Sequence, residues 1–114
     1  MQLEIRERAV GDVVILEMFG KITIGEGSVQ LRDAVGKLLD SGQNKIVLNL
    51  GGVSYVDSSG MGALVASLKQ ARTVGGDLRL CELQDDVRAI FEMTRLNKAV
   101  TIHASRTEAL GAWT

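Results

Sequence analysis

The chain contains no proline, one cysteine and one histidine in 114 residues. Without proline, no rigid linker divides it, and this length suits one domain with one core. Residues 1–114 are therefore read as a single domain. A lone cysteine, Cys81, excludes an internal disulfide. With His103 as the only histidine and no close histidine–carboxylate cluster, neither a transition metal nor another cofactor is expected. Thirteen basic residues against 14 acidic ones leave a formal net charge of −1, so no basic surplus points to nucleic acid. The longest apolar run, near Val13 to Leu16, is closed by Glu17 and is too short to span a membrane. Met1-Gln2-Leu3-Glu4 lacks the basic start of a signal peptide, so a cytoplasmic location without a membrane partner is expected. There is no internal repeat and no low-complexity tract. What is plentiful is apolar side chain: 46% of residues, enough for a sizeable core and too much for disorder.

Apolar periodicity divides the chain into elements. Leu3 and Ile5 alternate with charged residues, Val10-Gly11-Asp12 signals a turn, and Val13 to Phe19 is β-branched and apolar, which together predict a hairpin. The mixed charges of Glu4-Ile5-Arg6-Glu7-Arg8 suit a solvated edge that discourages pairing with other chains. Gly20 to Gly27 is a connection. A helix starting at Glu26 or Ser28 carries Leu31, Val35, Leu38 and Leu39 and stops at Gly42. Lys45 to Leu50 is nearly all apolar, as expected of a central parallel strand buried on both faces. A loop over Gly51 to Asp57 leads to a second helix carrying Met61, Leu64, Val65, Leu68 and Ala71, which ends at Gly75-Gly76. Leu78 to Leu83 is a strand, with Cys81 as a small buried hydrophobe. A short helix capped by Asp85 or Asp86 buries Val87, Ile90 and Phe91. Ala99 to His103 is a last strand, and Ser105-Arg106-Thr107-Glu108 is a capping-box pattern opening a helix with Leu110 and Trp113 on one face. The order ββαβαβαβα predicts an α/β domain with a small, mostly parallel sheet, an N-terminal hairpin and about four helices. In such sheets ligands favour the carboxyl ends of the strands, and the segment Gly51 to Gly62 leaves the best central one.

That segment ends in Val56-Asp57-Ser58-Ser59-Gly60-Met61-Gly62. A nucleophile elbow needs glycines two residues to either side of its serine, and neither Ser58 nor Ser59 has them. No base is near in sequence, since His103 belongs to another strand, so an enzyme is not expected. No phosphate-binding loop motif exists, no lysine lies in the loop, and Asp57 would repel a nucleotide phosphate. Two readings remain. Ser58 or Asp57 is only a helix cap. Alternatively, a serine is a phosphate acceptor at a helix N-terminus, where unpaired N–H groups and the helix dipole tolerate the charge while a docking surface does not. A cap requires one residue; here three capping-competent residues precede two glycines that each weaken a helix by about 1 kcal/mol relative to alanine.

Lys45 to Leu50 followed by Val56 to Gly62 resembles the STAS domain of bacterial anti-sigma factor antagonists. Gly20-Lys21-Ile22, Gly75-Gly76-Asp77-Leu78, Val87 to Thr94 and Ser105 to Ala109 extend the resemblance over essentially the whole chain. It implies that the unphosphorylated protein binds an anti-sigma factor, itself a serine kinase of the GHKL type, and so frees a sigma factor. It implies phosphorylation at Ser58, loss of binding, and resetting by a metal-dependent PPM-type serine phosphatase, with ATP and magnesium belonging to the kinase. It also implies a docking surface of Asp57, Ser58, Ser59, Gly60, Met61 and Gly62, flanked by Ile22 and Thr23 and touched by Thr94. Two positions depart from the family pattern: many members carry aspartate where Thr23 stands and glycine where Arg95 stands, and an arginine there could help hold a phosphate. The alternative function under the same resemblance is a STAS scaffold or accessory domain in a stressosome-like or transport system.

Overall fold

The computed structural model describes residues 3–113; Met1 and Gln2, read above for a leader, and Thr114 lie outside them. The expected hairpin is β1 (Glu4–Val10) and β2 (Val13–Ile22), joined at Gly11, whose φ of 62° is the left-handed conformation such a turn uses. There follow α1 (Glu26–Asp40), β3 (Lys45–Val56), α2 (Ser58–Thr73), β4 (Asp77–Cys81) and α3 (Asp85–Met93). A 3-10 turn over Leu96–Lys98, β5 (Thr101–His103) and α4 (Arg106–Gly111) complete the chain.

The five strands lie in the sheet in sequence order, β1 antiparallel to β2 and the rest parallel. Each crossover therefore steps in the same direction, and right-handed crossovers then stack their helices on one face. Leu31 and Val35 of α1, Leu64 and Leu68 of α2, and Val87 and Phe91 of α3 share one core with Leu16, Leu48 and Leu80 of the sheet. The other face carries α4 and Trp113 over a smaller cluster of Val13, Ile15, Val47, Cys81 and Ala109.

Four boundaries differ from expectation. Gly51 to Val56, expected as loop, continues β3 and pairs with β2 as far as Ile22 opposite Val56. Two register shifts in this pairing explain the difference. They place Leu50, Val53 and Val56 inward at a spacing of three, so the alternation that marks a strand is lost. β4 ends at Cys81, because Glu82 takes a left-handed φ of 58°. The last strand is shortened at its start by the 3-10 turn. Finally, neither Asp85 nor Asp86 caps α3; Gln84 is the N-cap, and its amide donates to the Gly51 carbonyl at 2.9 Å.

Candidate functional site

The site is built where β2 and β3 end and α1 and α2 begin. Only Asp57 separates the last residue of β3 from the first of α2. Its backbone N–H donates to the Ile22 carbonyl (3.2 Å), which fastens the ends of the two strands together. One carboxylate oxygen, Oδ1, accepts the Gly60 N–H at 2.8 Å and so caps α2. The other, Oδ2, accepts the Ile24 N–H at 2.9 Å and so holds the β2–α1 connection. These donors, Gly60 first and then Ile24, keep the Asp57 carboxyl below the usual carboxylate range. Asp57 is therefore a fixed negative charge at this corner.

With Asp57 as cap, Ser58 has no capping role. It is exposed at the first position of α2, and among the described residues its hydroxyl makes no hydrogen bond. His103, the only histidine, is engaged elsewhere: its Nδ1 lies 3.3 Å from Glu108 Oε1 of α4, and Nε2 is buried with no hydrogen-bond partner among the described residues. Ser58 thus combines an exposed position with the N-terminal end of a 16-residue helix, a setting that tolerates added negative charge.

The surrounding positions separate into support and surface. The side chain of Ile22 is wholly buried, so it offers its carbonyl to Asp57 and no side-chain contact to a partner. Thr23 is half-buried, and its carbonyl accepts the Ser28 N–H at 3.0 Å. Gly60 is buried against the same strand end: a Cβ there would stand 2.0 Å from the Ile22 carbonyl oxygen. Ser59 is half-buried, and Met61 is buried at 6% exposure. Gly62 is exposed, with open space where its Cβ would be. Thr94 is also exposed; its hydroxyl donates to the Ile90 carbonyl at 2.8 Å and, among the described residues, is not bonded to the Ser58 corner. Arg95 holds a φ of 61°, the left-handed conformation that glycine takes most readily.

One surface residue escaped the sequence reading. Ile24, 77% exposed, stands beside Asp57 at the tip of the β2–α1 connection. The only signal for it was a large apolar residue in a glycine-rich connection, where no periodicity assigns it to a core.

A family model described as the STAS domain matches residues 3–109. A candidate anti-sigma factor antagonist of Bordetella bronchiseptica, BtrV, is 34% identical over 84 residues, 74% of this chain and 72% of that protein. The anti-sigma-B factor antagonist of Bacillus subtilis is 32% identical over 85 residues, 75% of this chain and 76% of the other. The crystal structure of a candidate anti-sigma factor antagonist from Thermotoga maritima superposes with a TM-score of 0.88 at 30% identity, covering 95% of this chain and 92% of its own.

Proposed function

The chain belongs to the STAS domain family, and from that membership we propose that it is an anti-sigma factor antagonist switched at Ser58. In this reading the unphosphorylated protein docks its Ser58 corner on an anti-sigma factor that is also a serine kinase, and a sigma factor is released. The kinase phosphorylates Ser58 and lets go, and a PPM-type phosphatase restores the binding form. The observation that carries the proposal is the division of labour at the helix start: Asp57 caps, which leaves the Ser58 hydroxyl accessible and unbonded.

The physics of the switch follows from the same corner. A phosphate adds about 1.5 to 2 negative charges. The N-terminus of α2 tolerates them in the free protein. In a complex they would be buried beside the ionised Asp57 and the apolar Ile24. Burying such charge without a partner costs several kcal/mol, and each ~1.4 kcal/mol weakens binding tenfold. The complex is therefore lost while the fold persists.

The test uses the purified kinase with ATP and magnesium. Wild type should gain one phosphate, mapped to Ser58, and dissociate. Ser58→Ala should stay bound under the same conditions. Release of Ser58→Ala at the wild-type rate would sink the proposal.

A further inference from the structure

Helix α2 runs away from Ser58, and its outer face borders an open groove of about 380 Å³. Met61, Gly62, Val65, Ala66 and Lys69 of α2 line it, together with Leu96 of the 3-10 turn. Its floor is apolar, and it begins at Met61, the first turn after Ser58. From Ser58 to Lys69 the helix rises roughly 16 Å, at about 1.5 Å per residue.

Two further observations say what fits there. Packing does not demand the glycine at position 62, because nothing lies within 4 Å of the place a Cβ would occupy. A mid-helix glycine costs about 1 kcal/mol relative to alanine; what it gives here is an open floor on which another backbone can lie close. The second observation is charge. Residues 58–76 and 94–107, the stretches of sequence from which every lining residue of the groove comes, contain no aspartate or glutamate, although the chain as a whole carries a net charge of −1. Lys69 sits in the groove, and Arg95 and Lys98 flank Leu96 in the 3-10 turn. All three are exposed, and among the described residues none of them forms a salt bridge.

We propose that this groove is a second half of the docking face, and that it receives an acidic segment with apolar side chains from the protein bound at Ser58. Apolar side chains of that segment lie over Gly62, Val65 and Ala66, and its carboxylates meet Lys69 and the cations of the 3-10 turn. The inference rests on the docking role assigned to Ser58, because contiguity along α2 is what supplies the occupant. Carboxylates opposed to these cations would speed association at low salt and contribute specificity.

The experiment measures binding of the purified anti-sigma factor kinase to wild type, Ser58→Asp, Ala66→Gln and the double variant Lys69→Glu/Lys98→Glu, at low and high salt. The double variant changes two exposed positions, and its thermal midpoint should match wild type. Both groove variants should bind about tenfold more weakly or worse, and the double variant should lose the salt dependence of association. A photocrosslinker placed at position 66 should capture a peptide containing Asp or Glu beside apolar residues. Wild-type affinity in both groove variants, with binding abolished in Ser58→Asp, overturns the groove and leaves the Ser58 reading standing. A captured peptide without acidic residues also overturns the groove. Wild-type affinity in Ser58→Asp, or no binding by wild type, removes the Ser58 reading and the groove with it.

Discussion

Gly60 and Gly62 sit two residues apart on one helix and answer to different constraints. Gly60 lies against the end of β2, so Gly60→Ala forces a methyl into the Ile22 carbonyl and should cost on the order of 3 kcal/mol in denaturant unfolding. Gly62 faces open space, so Gly62→Ala should stabilise by up to about 1 kcal/mol. If the two variants shift the midpoint alike, the packing of α2 on β2 is wrong. Asp57 gives a prediction in pH. Its carboxyl is lower in the folded protein than in the unfolded chain, so its stabilisation is present above the ordinary carboxylate range and is lost as pH falls through the lower folded value. Wild type should therefore lose stability on acidification below about pH 4 more steeply than Asp57→Asn, which can still cap but cannot titrate. Asp12 is also lowered, by its bond to Lys45, but both proteins share it, so their difference isolates Asp57. None of this division between support and surface was visible in the motif. The seven letters from Val56 to Gly62 read as one block, and only the position of the Ile22 carbonyl separates the two glycines.

Among the elements, the strongly periodic ones were legible and the irregular ones were not. α2 announced itself through Leu64, Leu68 and Ala71, and the hairpin through Val10-Gly11-Asp12. The second half of β3 was hidden because its two register shifts replace alternation with a spacing of three. The cap of α3 was misplaced because the aspartates at 85 and 86 outscore Gln84 by residue type, whereas Gln84 takes the N-cap position without a side-chain capping bond and its amide reaches the Gly51 carbonyl instead. The short helix α4 was signalled by its capping box, and Ser105 Oγ does accept the Glu108 N–H at 3.1 Å. This six-residue helix is held to the bare face of the sheet by a few contacts. Arg106 pairs with Glu17 at 3.2 Å, the Arg106 N–H is accepted by Glu82, and the Arg79 guanidinium lies 4.3 Å from the centre of the Trp113 ring. Beneath it Cys81 is fully buried, and its thiol is pushed up to about 12, chiefly by desolvation. Alkylation of Cys81 should therefore be slow in wild type. Trp113→Ala should speed it by about tenfold for every ~1.4 kcal/mol of docking lost, without lowering global stability in proportion. Equal labelling rates would show that α4 does not gate the thiol.

For the whole molecule, one face of the sheet carries three helices on the main core, and the Ser58 corner lies at the strand ends beside it. A charge placed on exposed Ser58 touches none of that core. Ser58→Glu should keep the far-ultraviolet circular dichroism of wild type and a thermal midpoint within a few degrees of it, while losing affinity for the kinase. A collapse of the spectrum would mean that the switch acts by unfolding. The fold class and the element order were legible because a small parallel sheet needs continuous apolar strands and amphipathic crossovers, and both leave a pattern along the chain; the family was legible only through the resemblance carried by Val56 to Gly62 and the segments around it. The groove beside α2 was not, because Leu96 reaches it from a turn far along the chain that has no periodicity of its own. The bond from Asp57 to Ile24 joins residues 33 apart in sequence, and with the Ile22–Asp57 bond it makes Ser58, the proposed acceptor, part of a folded corner. A modifying enzyme that reads this corner is reading a three-dimensional epitope. A synthetic peptide spanning Tyr55 to Leu68 would carry every letter of the motif, yet it would lack the neighbouring strand end and be a poor substrate. The motif's letters alone would then not suffice for recognition by such an enzyme.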